Sequence, residues 1–144
     1  MSEELARDEG RVLTAYKDSV GLWTIGVGHL LGPHARMTSI TDAECDALLA
    51  YDIIAAEMIV RRLVPDVVFE VTNPDKWAVR YRALVNMAFN LGSRLEGFHR
   101  FLTYLHAENW PAAAAEMMDS KWADQVGKRA ERLRDMILTG KDVA

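Results

Sequence analysis

The sequence predicts a mostly helical α+β fold in two lobes, a small N-terminal β-hairpin lobe and a helical C-terminal lobe joined by a long helix. Three observations predict it. The residue pattern changes from helical to strand-like over residues 14–29 and returns to helical after residue 40. A capping signal, Thr41-Asp42-Ala43-Glu44, opens a long run that lasts until Pro65. From Asn73 onward the chain is a succession of helical segments punctuated by Asn, Pro, Ser and Gly. The 144 residues read as a single domain. Its hairpin lobe spans about 12–40, its linking helix about 41–64, and its helical lobe about 73–140 together with the first helix.

Residues 2–10 form the first predicted helix. Ser2 is its expected N-cap, Glu3 and Glu4 suit the positive end of the dipole, and Gly10 is a stop signal. Ala15-Tyr16-Lys17 and Leu22 to Val27 are short β-rich runs around the turn Asp18-Ser19-Val20-Gly21. On the second run Trp23, Ile25 and Val27 point one way, and Leu22, Thr24, Gly26 and Gly28 the other. The glycines are expected to leave Thr24 on an uncrowded face. Residues 30–40 are loop-like, with room for a further short strand.

In the linking helix Leu48, Leu49, Ala55, Ala56, Ile59 and Leu63 approximate one buried stripe, with Asp52 among apolar neighbours. Residues 65–72 form a connection. Asn73-Pro74 starts the next helix, where Trp77, Tyr81, Leu84, Val85, Ala88 and Phe89 follow helical spacing and Gly92 closes it. Further helices are expected at about 95–107, 110–118, 120–125 and 128–139, the last ending at Gly140.

Half of the residues are hydrophobic, enough for a core without covalent staples. Cys45 is the one cysteine, so no intrachain disulfide can form and the fold suits a reducing compartment. The net charge of −4 argues against a nucleic-acid binder. Between residues 121 and 141 the bases Lys121, Lys128, Arg129, Arg132, Arg134 and Lys141 outnumber Asp124, Glu131 and Asp135. That surface is either a solvated helix face or one that meets an anionic polymer. No run reaches membrane-spanning length, and the acidic start MSEELARDEG lacks the apolar core of a signal peptide. The expected location is the cytoplasm, until the chain is released by something else.

The stretch from Glu9 to His29 is where chemistry is expected. Glycosidic bonds are cut by two carboxylates, one protonated to donate to the leaving oxygen and one ionised to activate water or stabilise a cation. Glu9, at the negative end of the first helix, suits the donor. Asp18 on a solvated turn suits the anion, and Thr24 could hold a water beside it. The spacing of these three residues is common in soluble proteins and does not by itself assign catalysis. A lone histidine after a strand, His29, is more often packed than catalytic. The four histidines show no zinc-ligand spacing, so no metal is expected.

Context adds to this. Glu9-Gly10, Tyr16-Lys17-Asp18, Gly21 and Thr24-Ile25-Gly26-Val27-Gly28-His29-Leu30-Leu31 closely resemble the phage-type lysozymes of the T4 kind, endolysins among them. The resemblance runs on through Leu84 to Gly92, Gly97-Phe98, Ser120-Lys121-Trp122, Gln125 and Arg129-Ala130-Glu131-Arg132, and covers nearly the whole chain. It implies a lysozyme-like fold and a muramidase that cuts between N-acetylmuramic acid and N-acetylglucosamine in peptidoglycan. Glu9 matches the proton donor, Asp18 the carboxylate that directs water, and Thr24 the residue that holds it. Inversion of the anomeric centre is implied, with the carboxylates about 6.5–9.5 Å apart. Arg129 matches an arginine paired with the catalytic glutamate, and His29 with Asp52 a structural ion pair. Leu30, Asn86, Asn90 and Phe98 match substrate-binding positions, the last three on the far wall of the cleft. From the residues alone, those three could equally be a helix cap, a surface amide and a core ring. Two stretches depart from the family: between Leu31 and Thr41 the connection is short where T4-type chains carry a longer hairpin, which implies a smaller cleft roof, and residues 65–76 also differ.

The resemblance therefore implies a phage endolysin that needs no cofactor, takes peptidoglycan as its partner, and depends on a holin for release. Nucleic acid and stable membrane insertion are not expected, and a monomer is. The rival readings are a non-catalytic wall-binding domain, a virion-associated or secreted lysozyme domain, and a chitinase-like glycosidase.

Overall fold

The computed structural model of the protein describes residues 1–33 and 38–143; part of the loop expected over 30–40, including His34, lies outside them. By backbone contacts the chain divides into two compact units, Met1–Ala55 and Ala56–Ala144, with the boundary inside the long helix.

In the first unit, α1 (Ser2–Glu9) is followed by β1 (Val12–Lys17), β2 (Trp23–Gly26) and β3 (His29–Gly32). Met1, not Ser2, occupies the N-cap of α1, because Ser2 already belongs to the first helical turn. The strands form an antiparallel sheet in the order β1-β2-β3, the third strand arising where the sequence left room for one. Tyr16 pairs with Thr24, and Thr24 with Leu30. Directly opposed residues share a face, so Tyr16, Thr24 and Leu30 form one row across the sheet. The outer edge of β1 is also occupied. Ala15 N donates to Thr38 O, and Ile40 N donates to Leu13 O, both at 2.8 Å. Pairing of this edge removes a template for strand addition.

The long helix α2 (Asp42–Leu63) opens with both halves of the capping box made. Glu44 N donates to Thr41 Oγ1 and Thr41 N donates to Glu44 Oε1, each at 3.1 Å. Two otherwise orphaned donors are thereby satisfied, worth about 1 kcal/mol or more. The buried stripe differs from the expected one. Cys45, Leu49, Ala56 and Val60 are buried, and Ala55 is exposed. Steps of four and seven residues keep these side chains on one helical face, but the stripe begins at Cys45, which a pattern anchored on Leu48 does not reveal.

The second unit begins in α2. Pro65–Glu70 forms a 3₁₀ turn within the expected connection, followed by α3 (Pro74–Leu91). Asn73 is the N-cap of α3 and Pro74 its first residue. A second 3₁₀ turn, Gly92–Gly97, precedes α4 (His99–His106), so the helix expected from about residue 95 starts later. Then come α5 (Trp110–Met118), α6 (Lys121–Val126) and α7 (Lys128–Thr139). Asn109 accepts from Ala112 N, and Ser120 from Ala123 N, as N-caps. Trp77, Leu84, Met87, Leu105, Met117, Leu133 and Ile137 are each at most 1% exposed, and they place the core of this unit around α3. Each such side chain contributes about 1.5–3 kcal/mol by leaving water.

Candidate active site

In the first unit Glu9 is the last residue of α1. The chain turns away at Gly10, whose φ of 76° is open to glycine and whose N–H donates to Ala6 O. The helix end thus presents Glu9 with the negative pole of its dipole behind it. Its side chain lies along Gly28, in the link between β2 and β3: a Cβ added to Gly28 would stand 3.0 Å from Glu9 Oε2.

Asp18 opens the turn between β1 and β2. Its Oδ1 accepts from Val20 N at 3.0 Å and from Leu22 N at 2.9 Å, while its own N–H donates to Leu22 O. Two backbone amides on one oxygen lock the carboxylate plane and satisfy the turn. Thr24 is buried at 6% exposure, against the expectation of an uncrowded face. Neither is Gly26 open space beside it, since a Cβ there would meet Cys45 Sγ at 3.3 Å. The Thr24 hydroxyl is 3.5 Å from Leu22 O, the carbonyl of the residue that also serves Asp18. Leu30, next in the same row, is 57% exposed.

Tyr16 was not among the residues singled out by sequence, yet it connects them. Burial raises the pKa of its hydroxyl, and the charges of Glu9 and then Asp18 raise it further. Both carboxylates therefore act on one phenol, which stands across the strand pair from Thr24. The signal was available in sequence order, since Tyr16 ends a β-rich run two residues before Asp18. His29, at the start of β3, has its Nδ1 2.7 Å from Asp52 Oδ2 on α2, each about three-quarters buried.

In the second unit the expected cleft-wall and supporting residues form two connected pairs. Asn86 is 1% exposed, and its Oδ1 accepts from Arg129 Nε at 2.9 Å, joining α3 to α7. Arg129 is also buried. Asn90 Oδ1 accepts from Trp122 Nε1 at 2.8 Å, and the Trp122 ring meets Phe98 edge-on at 6.5 Å. Trp122 is the side chain that sequence reasoning passed over; a buried indole N–H needs an acceptor, and the amide of Asn90 supplies it. Phe98 borders a cavity of about 380 Å³ together with His99, Arg100, Phe101, Glu116 and Ser120. Among the described residues no group of three or more His, Cys, Asp or Glu side chains is placed to hold a metal ion. No helix among them is long and apolar enough to cross a membrane.

Comparison with known proteins gives the arrangement a context. The family model described as phage lysozyme matches residues 6–135. The chain is 30% identical to the probable T4-type lysozyme 1 of Dictyostelium discoideum, over 97% of this chain and 94% of that protein. It is 32% identical to the endolysin of Salmonella phage P22, over 76% and 73%. It is also 32% identical to the pre-baseplate central spike protein Gp5 of Enterobacteria phage T4, over 97% of this chain but 28% of that protein.

Proposed function

Because the chain belongs to the phage lysozyme family and shares its lysozyme-like character, we propose that it is an endolysin that hydrolyses the β-1,4 bond between N-acetylmuramic acid and N-acetylglucosamine in bacterial peptidoglycan. Glu9 protonates the leaving oxygen. Asp18 accepts a proton from the attacking water through Oδ2, the oxygen not used by the turn, and Thr24 orients that water. Attack from the face opposite the leaving group inverts the anomeric centre. Leu30 offers an apolar surface to the sugar from the same row as Thr24, and Asn90 and Phe98 serve saccharide binding from the second unit, while Asn86, expected from sequence to bind sugar, is too buried to reach one and instead holds Arg129. Arg129 and the His29–Asp52 pair support the site. The protein works as a monomer without a cofactor, and a holin opens its route from the cytoplasm to the wall.

The observation that carries this reading is the family match over residues 6–135 with Glu9, Asp18 and Thr24 all inside it. The deciding experiment is reducing-sugar release from purified peptidoglycan. Wild type should release sugar ends and Glu9→Gln should release almost none. Equal release from both defeats the assignment, and preference for chitin oligomers over wall redirects it to a chitinase-like glycosidase.

A second reading, a lysozyme domain carried in a virion, is favoured by the 32% identity to the central spike protein. Finding the protein in purified particles rather than in the lysate would support that reading over the first.

A further inference from the structure

Gly28 lies in the short link between Ile25 and His29, which pair directly across β2 and β3. A Cβ built on it would stand 3.0 Å from Glu9 Oε2, 3.2 Å from Glu9 Cδ and 3.3 Å from Glu9 Cβ. The three nearest atoms all belong to Glu9 and run from its stem to its tip. The side chain therefore lies lengthwise against a bare α-carbon. Turning the carboxyl alone would relieve the contacts with Oε2 and Cδ but leave the tight one with the stem carbon. Nor can the backbone of Glu9 move freely, since it ends α1 and the next N–H is held by Ala6 O at 2.9 Å.

Gly26, two residues earlier, is the natural comparison. It too has a positive φ, 66° against 63° for Gly28. A Cβ on Gly26 would meet Cys45 Sγ and Ile40 Cδ1, at 3.3 and 3.6 Å, and no atom of Glu9. Both glycines occupy backbone that L side chains rarely adopt. They differ in what an added side chain would push.

We infer that Gly28 is a positioning residue: the place where its side chain would be is the seat that holds the Glu9 carboxyl in line for proton donation. This rests on the reading of Glu9 as the acid and deepens it. A misplacement of about 1 Å can lower a rate by about a hundredfold, so a small displacement of the carboxyl is enough to matter. The effect belongs in kcat rather than KM, because the three nearest atoms that a Cβ on Gly28 would meet are those of the acid.

The test compares Gly28→Ala with Gly26→Ala, by reducing-sugar release from purified peptidoglycan and by thermal melting. Gly28→Ala should remain folded and lose about tenfold or more in kcat with KM within about twofold. Gly26→Ala should lower Tm and keep kcat. Adding Glu9→Asp, which shortens the acid by one methylene, should restore part of the Tm lost in Gly28→Ala and none of that lost in Gly26→Ala. A wild-type kcat in Gly28→Ala, or an equal fall in kcat in both alanine variants, overturns the inference. So does a Tm that Glu9→Asp does not restore. If Gly28→Ala does not fold by itself, recovery of folding in the double variant supports the seat, and no recovery overturns it. Absence of sugar release by wild type defeats the assignment of Glu9 as the acid, and the melting comparison then decides by itself whether Gly28 seats that side chain.

Discussion

Arg80 Nε donates to the carbonyl of Ile137 at 2.6 Å, so a buried guanidinium on α3 closes the last turn of α7. The same group donates to Leu138 O at 3.2 Å and to Lys76 O at 2.7 Å, and it stacks on Trp110 with 3.9 Å to the ring centre. Terminal helix carbonyls have no partner within their own helix, and here one side chain supplies two of them. Burial lowers the Arg80 pKa, with the charge of Glu108 acting in the opposite direction. Arg80→Met should cost about 3 kcal/mol, since it leaves buried acceptors unpaired. Arg80→Lys should recover only part of this, because one ammonium cannot span the same carbonyls. Urea unfolding of the three proteins measures both.

Gly140 should be coupled to that guanidinium. It terminates α7 in the left-handed conformation at φ 69°, and a Cβ there would lie 2.7 Å from Arg80 Nη1. The backbone alone costs an alanine about 1–2 kcal/mol. Gly140→Ala should lose more than that in the wild type and only the backbone share in an Arg80→Met background. A double-mutant cycle in unfolding free energy reads the difference; simple additivity would show that the arginine yields freely.

The contact between His29 and Asp52 ties the start of β3 to the middle of α2 at 2.7 Å. A hydrogen bond to a charged group is worth about 1.5–3 kcal/mol when buried, and partial exposure here reduces it. Asp52→Asn should lower stability by about 1–2 kcal/mol. Chemical unfolding checks the figure.

Asp18 has two separable tasks. Its Oδ1 holds the turn through Val20 N and Leu22 N. An asparagine keeps an acceptor oxygen at that place but cannot act as an anion. Asp18→Asn should therefore melt close to wild type while losing most of its sugar release. Asp18→Ala should lose both activity and about 1 kcal/mol of stability. If Asp18→Asn stays active, Asp18 is a turn residue and no more.

Alkaline stability should fall through Tyr16 and Tyr81. The pKa of Tyr16 is raised by burial, then by Glu9 and Asp18; that of Tyr81 is raised by burial and then by Glu57, with Arg61 opposing. An unfolded tyrosine ionises at about pH 10. Each phenol keeps its proton longer in the folded chain, so its contribution is fully present below about pH 10 and is lost as pH rises through the folded value. Tm should decline above that point, and less steeply in Tyr16→Phe. Melting curves from about pH 9 to 11 with tyrosinate absorbance test this.

The sequence by itself determined what depends on neighbours a few residues away. The reciprocal Thr41–Glu44 cap, the Asp18 turn and the stops at Gly92 and Gly140 each need only one side chain or one glycine within a turn of the backbone they serve. The carboxylate–threonine set was legible as residues in order. Tertiary structure alone decided which face of α2 is buried, why Thr24 is enclosed, what Gly28 lies against, and that Arg80 closes a helix 57 residues away. Those outcomes depend on how side chains from distant stretches fill one another's space, and no local period or propensity records the partner that will arrive there.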